Sequence, residues 1–75
     1  MRNNFSIPKN QIPHEARLYT TAEVAVILGV SLRTVQAWIK DNAIPHVRLG
    51  DAGRLVRIQG RDLDKFIQDS YQPGK

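Results

Sequence analysis

Between residues 20 and 45 apolar positions recur at spacings of three and four, as they do along one face of a helix, and they do so twice. Val24, Ile27 and Leu28 make the first stripe, with Ala25 small enough for close helix approach; Val35, Trp38 and Ile39 make the second. The residues between and beside the stripes act as stops and starts. Thr20 can cap the first helix, and Glu23, three residues on, completes a capping box. Gly29 ends that helix, because glycine enters the left-handed region without steric cost. Ser31 caps the second, and Asn42 followed by Pro45 stops it. The pattern predicts two short helices joined by a tight turn.

After Pro45 the period falls to two. His46-Val47-Arg48-Leu49 alternates, Arg54 to Ile58 does so in part, and Gly50-Asp51-Ala52-Gly53 connects them, which predicts a β-hairpin. Turning Val47, Leu49 and Val56 or Ile58 inward would put the arginines mostly on the other side. Leu55 breaks this alternation, and the sequence assigns it to neither face. Beyond Gly60, Asp62 and Asp64 suit a helix N-terminus, and Leu63, Phe66 and Ile67 form a third stripe. Three stripes and one hairpin face are expected to close a core around Trp38, as large aromatics dominate small cores. Residues 1–17, with Asn3, Asn4, Pro8, Asn10 and Pro13 among scattered Phe5, Ile7 and Ile12, read as a flexible arm. Leu18 is expected to make a staple-like contact with the first helix. The domain is then 18–70, and 71–75 a tail. The expected fold class is α+β, mostly α: two helices joined by a tight turn, a β-hairpin and a C-terminal helix.

The outward face of the second helix carries Arg33, Thr34, Gln36, Ala37 and Lys40, several of which can hydrogen-bond a base edge or a phosphate. A helix, a short glycine-containing turn and a helix with a basic outer face is the helix-turn-helix pattern. The alternative is an ordinary helical hairpin with a solvated, positive face. Charge distribution bears on the choice. The net charge is +4 and the pI about 10.0. From Ser31 to Arg61 there are six basic residues (Arg33, Lys40, Arg48, Arg54, Arg57, Arg61) against Asp41 and Asp51, and six minus two is the whole +4. Such a cluster attracts phosphate backbones. On that reading the N-terminal arm could lay Arg2, Lys9 and Arg17 along DNA.

Other chemistry is sparse. With no cysteine there is neither a disulfide nor a thiolate site, and His14 and His46 alone do not make a closed zinc site, so no metal or other cofactor is expected. No paired acid and base, phosphate loop or cysteine nucleophile is visible, so no enzyme is expected. Asp62 and Asp64 read as helix-terminal charges. No apolar run approaches the ~18 residues of a membrane span, and MRNNFSIPKNQIP lacks the apolar region of a secretory signal. The expectation is a soluble, intracellular chain with no small-molecule ligand.

Several segments together resemble the excisionase-type winged helix-turn-helix domain, which is related to MerR-like DNA-binding domains. They are Leu18-Tyr19-Thr20-Thr21-x-Glu23-Val24-Ala25, Leu28-Gly29-Val30-Ser31, Arg33-Thr34-Val35-x-x-Trp38-Ile39, Ile44-Pro45, Arg48-Leu49-Gly50, Arg57-Ile58 and Asp62-Leu63-x-x-Phe66-Ile67. The resemblance implies that the second helix enters the major groove and the hairpin rests on adjacent phosphates or the minor groove. Carried over by position, Arg33, Thr34 and Gln36 would face bases, and Arg48, Arg54 and Arg57 would belong to the wing. Thr21, Ser31 and Lys40 complete the candidate contacts. Small members of the family include phage excisionases, recombination directionality factors that bend attachment-site DNA and turn an integrase from insertion to excision. The implied partners are double-stranded DNA, an integrase and neighbouring copies head to tail on DNA. The implied location is the cytoplasm of a bacterial host, on the nucleoid. A small transcriptional regulator and a protein-interaction module are the alternatives. The connection Gly50–Gly53 is slightly longer than the usual wing turn, and no long dimerisation helix like that of MerR regulators is expected among these residues.

Overall fold

The fold comes from a computed structural model that describes residues 11–74. In chain order it runs through a 3-10 turn (His14–Ala16), β1 (Leu18–Thr20), α1 (Thr21–Leu28), α2 (Leu32–Lys40), β2 (Val47–Leu49), β3 (Leu55–Gln59) and α3 (Gly60–Asp69). Three helices and a three-stranded antiparallel sheet in the order β1-β3-β2 make the winged helix-turn-helix that the resemblance implies.

Local signals set the helix ends. Thr20 Oγ1 accepts from the Glu23 amide at 3.0 Å, and the Thr20 amide donates to Glu23 Oε1 at 2.9 Å, so the capping box closes in both directions. Gly29, at φ 70°, ends α1, and the Val30 amide donates back to the Ala25 carbonyl at 3.0 Å. The chain then turns through 116° between α1 and α2, within the range of helix-turn-helix pairs. Ser31 Oγ accepts from the Thr34 amide at 3.1 Å. At the far end of α2, Asn42 takes the left-handed conformation at φ 56°, and the Ala43 amide reaches the Trp38 carbonyl at 2.7 Å. Asparagine is among the few side chains that tolerate this geometry.

The core is centred differently from the sequence expectation. Ile44, Ile58, Leu63, Val24 and Val35 are fully buried, with Ala25 and Ile39 beside them. Ile44 lies in the loop after α2 and belongs to no stripe. Trp38 sits at the margin, half-buried and tilted against Phe66 with ring centroids 5.0 Å apart. Ile67 and Ile27, assigned to core stripes by spacing, are 44% and 49% exposed. α1 is apolar nearly all round, and only the face of Val24, Ala25 and Leu28 meets other elements, so Ile27 is left outside with Val26.

β1 was not visible in the sequence. It pairs Leu18, Tyr19 and Thr20 with Gln59, Ile58 and Arg57. Tyr19 therefore shares the inner sheet face with Ile58 and packs on the core, while Leu18 points the other way. The residue that leans on the core just ahead of the α1 cap is Tyr19, not Leu18.

The 3-10 turn lies against α3. His14 joins Tyr19 Oη at 2.6 Å through Nδ1 and Asp64 Oδ1 at 2.9 Å through Nε2. The Gly60 amide donates to the Arg17 carbonyl at 2.9 Å. Any β-carbon at residue 60 would collide with the His14 backbone, so only glycine permits this approach. Arg17 is drawn inward, donating to the Ile12 carbonyl at 3.1 Å with its guanidinium 5.8 Å from the Tyr19 ring centre. Arg2 and Lys9 lie outside the described residues.

Candidate nucleic-acid interface

Residues 33, 36, 37 and 40 of α2 follow the i, i+3, i+4, i+7 spacing of one helical face. Arg33, Gln36, Ala37 and Lys40 are accordingly all exposed, while Val35 and Ile39 anchor the opposite side in the core. Thr34 stands apart from this stripe. It is half-buried, and its hydroxyl lies 2.9 Å from Ser31 Oγ, inside the cap of α2. Ser31 and Thr34 thus shape the start of the helix and lie at the end of α2 away from Lys40.

The hairpin register decides where the wing arginines go. Val47 pairs with Arg57, Arg48 with Val56, and Leu49 with Leu55. Directly paired residues share a face. Arg48 therefore lies on the face of Val56 and buried Ile58, and Arg57 on the face of Val47, Leu49 and Leu55. The expectation that Val47, Leu49 and Val56 or Ile58 turn inward together, with the arginines mostly on the other side, is not met by this register. Odd and even positions of this register cannot share a face. Leu55, unassigned from sequence, belongs to the outer face, opposite Leu49.

Despite opposite origins the two arginines converge. An open groove of about 480 Å³ runs between α2 and the hairpin, lined by Thr21, Gln36, Ile39, Lys40, Arg48, Arg54, Leu55, Val56 and Arg57. Thr21, the first residue of α1, is the contribution of that helix to the lining. Arg57 Nη1 donates to the Val56 carbonyl at 2.9 Å, and Arg48 Nη1 reaches the Gly53 carbonyl at 3.4 Å across the turn. Those contacts hold both guanidinium groups beside the groove while leaving other N–H donors of each fork for a ligand. Gln36, Lys40 and Arg54 make no hydrogen bond or ion pair among the described residues, and no carboxylate lines the groove. Four uncompensated cations along one open trough suit a chain of phosphates.

Six of the nine candidate residues, Thr21, Gln36, Lys40, Arg48, Arg54 and Arg57, are brought together here. Arg33 is exposed on the same face of α2 but outside the groove lining, with Ser31 and Thr34 at the N-terminal end of the helix. The groove also has three apolar walls, Ile39, Leu55 and Val56, which sequence reasoning did not associate with a ligand. The one available signal was that Leu55 broke the hairpin alternation.

Among the described residues no group of acidic and histidine side chains could hold a metal ion, and no single helix is long and apolar enough to cross a membrane. The turn of 116°, the exposed basic face of α2 and the hairpin beside it define a helix-turn-helix protein of the winged type. Residues 18–71 match the family described as "Helix-turn-helix domain", and the chain belongs to that family. The family includes excisionase-like DNA-binding domains, and its fold binds double-stranded DNA. No curated protein and no solved structure matches the chain.

Proposed function

We propose that the chain binds duplex DNA sequence-specifically and bends it, in the manner of a phage excisionase that turns integrase-mediated recombination towards excision. The observation that carries this reading is the groove, whose lining takes in both α2 and the wing with four cations and no carboxylate. α2 enters the major groove by its Arg33, Gln36 and Lys40 face. Arg33 and Gln36 can make bidentate contacts to guanine and adenine respectively. Arg48, Arg54 and Arg57 hold the phosphates beside it. Thr21, at the start of α1, also lines the groove, and its hydroxyl and the first free amides of the helix can bind a phosphate.

A domain of this size reads few base pairs, so specific occupancy calls for several copies acting together. We propose that copies sit head to tail on closely spaced direct repeats and that the assembly meets an integrase on the bacterial chromosome in the cytoplasm. The resemblance of segments 18–67 to excisionase-type domains supports the recombination role.

The deciding experiment is excision in vitro. Purified protein, a candidate integrase and supercoiled DNA carrying two attachment-type sites are combined, and excised circles are counted. Excision that depends on the protein supports the role. Tight site-specific binding without any excision would make the chain a transcriptional regulator instead. No duplex binding at all would leave a protein-interaction module.

A further inference from the structure

One feature of the wing is not explained by phosphate binding. Leu49 and Leu55 face each other in the last pair before the Gly50–Gly53 turn, and both are exposed, 38% and 54%. Leu55 follows Arg54 directly and shares a strand face with Arg57 two residues on. It lines the groove with those arginines, with Gln36 and with Lys40, whereas Leu49 does not. Nothing about a phosphate rewards an aliphatic side chain, and the cations for phosphate are already present on either side of it.

An aliphatic group flanked by guanidinium groups fits a different part of a duplex. The walls of the minor groove are deoxyribose rings, and a base step there can open to admit an apolar wedge while arginines hold the flanking backbone. With α2 in the major groove, the hairpin beside it meets the backbone and then the adjacent minor groove.

We infer that Leu55 is the wing's apolar contact to the minor groove, that it presses on a base step, and that it thereby supplies the kink in the bound DNA. Leu49 backs it across the strand pair and does not touch the duplex. The assignment rests on the DNA-binding reading above and names the residue that does the bending.

The test compares Leu55→Ala and Leu49→Ala on two duplexes of one sequence. One is intact, and the other carries a tandem mismatch at the step that footprinting of the wild-type complex places under the wing. Bending is read by energy transfer between end-attached dyes, affinity by anisotropy, and folding by circular dichroism. Leu55→Ala should keep its fold, lose at least about half the bend, and bind the intact duplex about ten-fold more weakly, the scale of one buried aliphatic contact. On the mismatched duplex, where the step is already open, its deficit should shrink to about two-fold. Leu49→Ala should bend both duplexes as the wild type does. A wild-type complex that binds without bending the DNA, or a Leu55→Ala variant that bends intact DNA as the wild type does, would overturn the inference. So would equal losses in the two variants, which would mean that the leucine pair only supports the hairpin. If the wild type bound neither duplex, the DNA-binding reading itself would fall, a result distinct from either.

Discussion

Gly60 and His14 are in direct backbone contact: the first residue of α3 lies so close to the His14 carbonyl that a methyl group there has no room. This contact fastens the 3-10 turn to α3. The same two elements are joined again by the bond from His14 to Asp64 and by the Gly60 amide on the Arg17 carbonyl. Alanine at position 60 must push the turn away. Gly60→Ala should therefore lower stability by about 1–3 kcal/mol, as overpacking does, despite alanine's better helix propensity. Urea denaturation measures this. Stability equal to wild type would mean that the turn is not held in this position.

The capping box offers a second check. Thr20→Ala removes the acceptor for the Glu23 amide and leaves the Glu23 carboxylate its bond to the backbone of residue 20. A loss of about 1 kcal/mol is expected. Because Thr20 also closes β1 onto Arg57, hydrogen exchange should accelerate at the end of β1 as well as in the first turn of α1. Acceleration spread evenly over the whole chain would contradict a local role.

Placing Trp38 at the core margin reverses the ranking expected from sequence. Ile44→Ala, at a fully buried position, should cost about 2–5 kcal/mol. Trp38→Ala should cost less than Ile44→Ala, because the ring is only partly buried and so is its aromatic partner Phe66. In a double-mutant cycle Trp38 and Phe66 should couple by about 0.5–1.5 kcal/mol. A Trp38→Ala variant that loses more stability than Ile44→Ala would restore the tryptophan to the centre.

What the sequence disclosed was mostly local. Thr20 with Glu23, Gly29, Ser31 and Asn42 each act within one helical turn, and each was readable because the partner is three or four residues away. The outward face of α2 followed from the same period. Non-local pairing was not readable. β1 is three residues with no alternation of its own, and it forms because β3 offers it an edge. Ile44 is fully buried from the loop between α2 and β2, where no period signals a core position. The wing arginines required the register, and pairing Val47 with Arg57 rather than a neighbour moves every side chain across the hairpin. The residues of the candidate site were therefore largely nameable from sequence, but their convergence on one groove was not.

The division of labour across the interface gives a fourth prediction. Arg33→Ala and Gln36→Ala should reduce discrimination between a specific and a random duplex by about 1–3 kcal/mol each, the value of one bidentate base contact. Arg54→Ala and Arg57→Ala should weaken both duplexes alike. Competition titrations separate the two behaviours. Relaxed specificity confined to the wing variants would reassign base reading to the hairpin.

The most direct measurement is the salt dependence of duplex binding by the wild-type protein. If four or five of the basic residues on α2 and the wing neutralise phosphates, log K should fall linearly with log salt at a slope of about −4. Arg54→Ala should make that slope shallower by about one unit. A slope near zero between low and moderate salt would contradict the claim that the groove between α2 and the wing holds the DNA backbone.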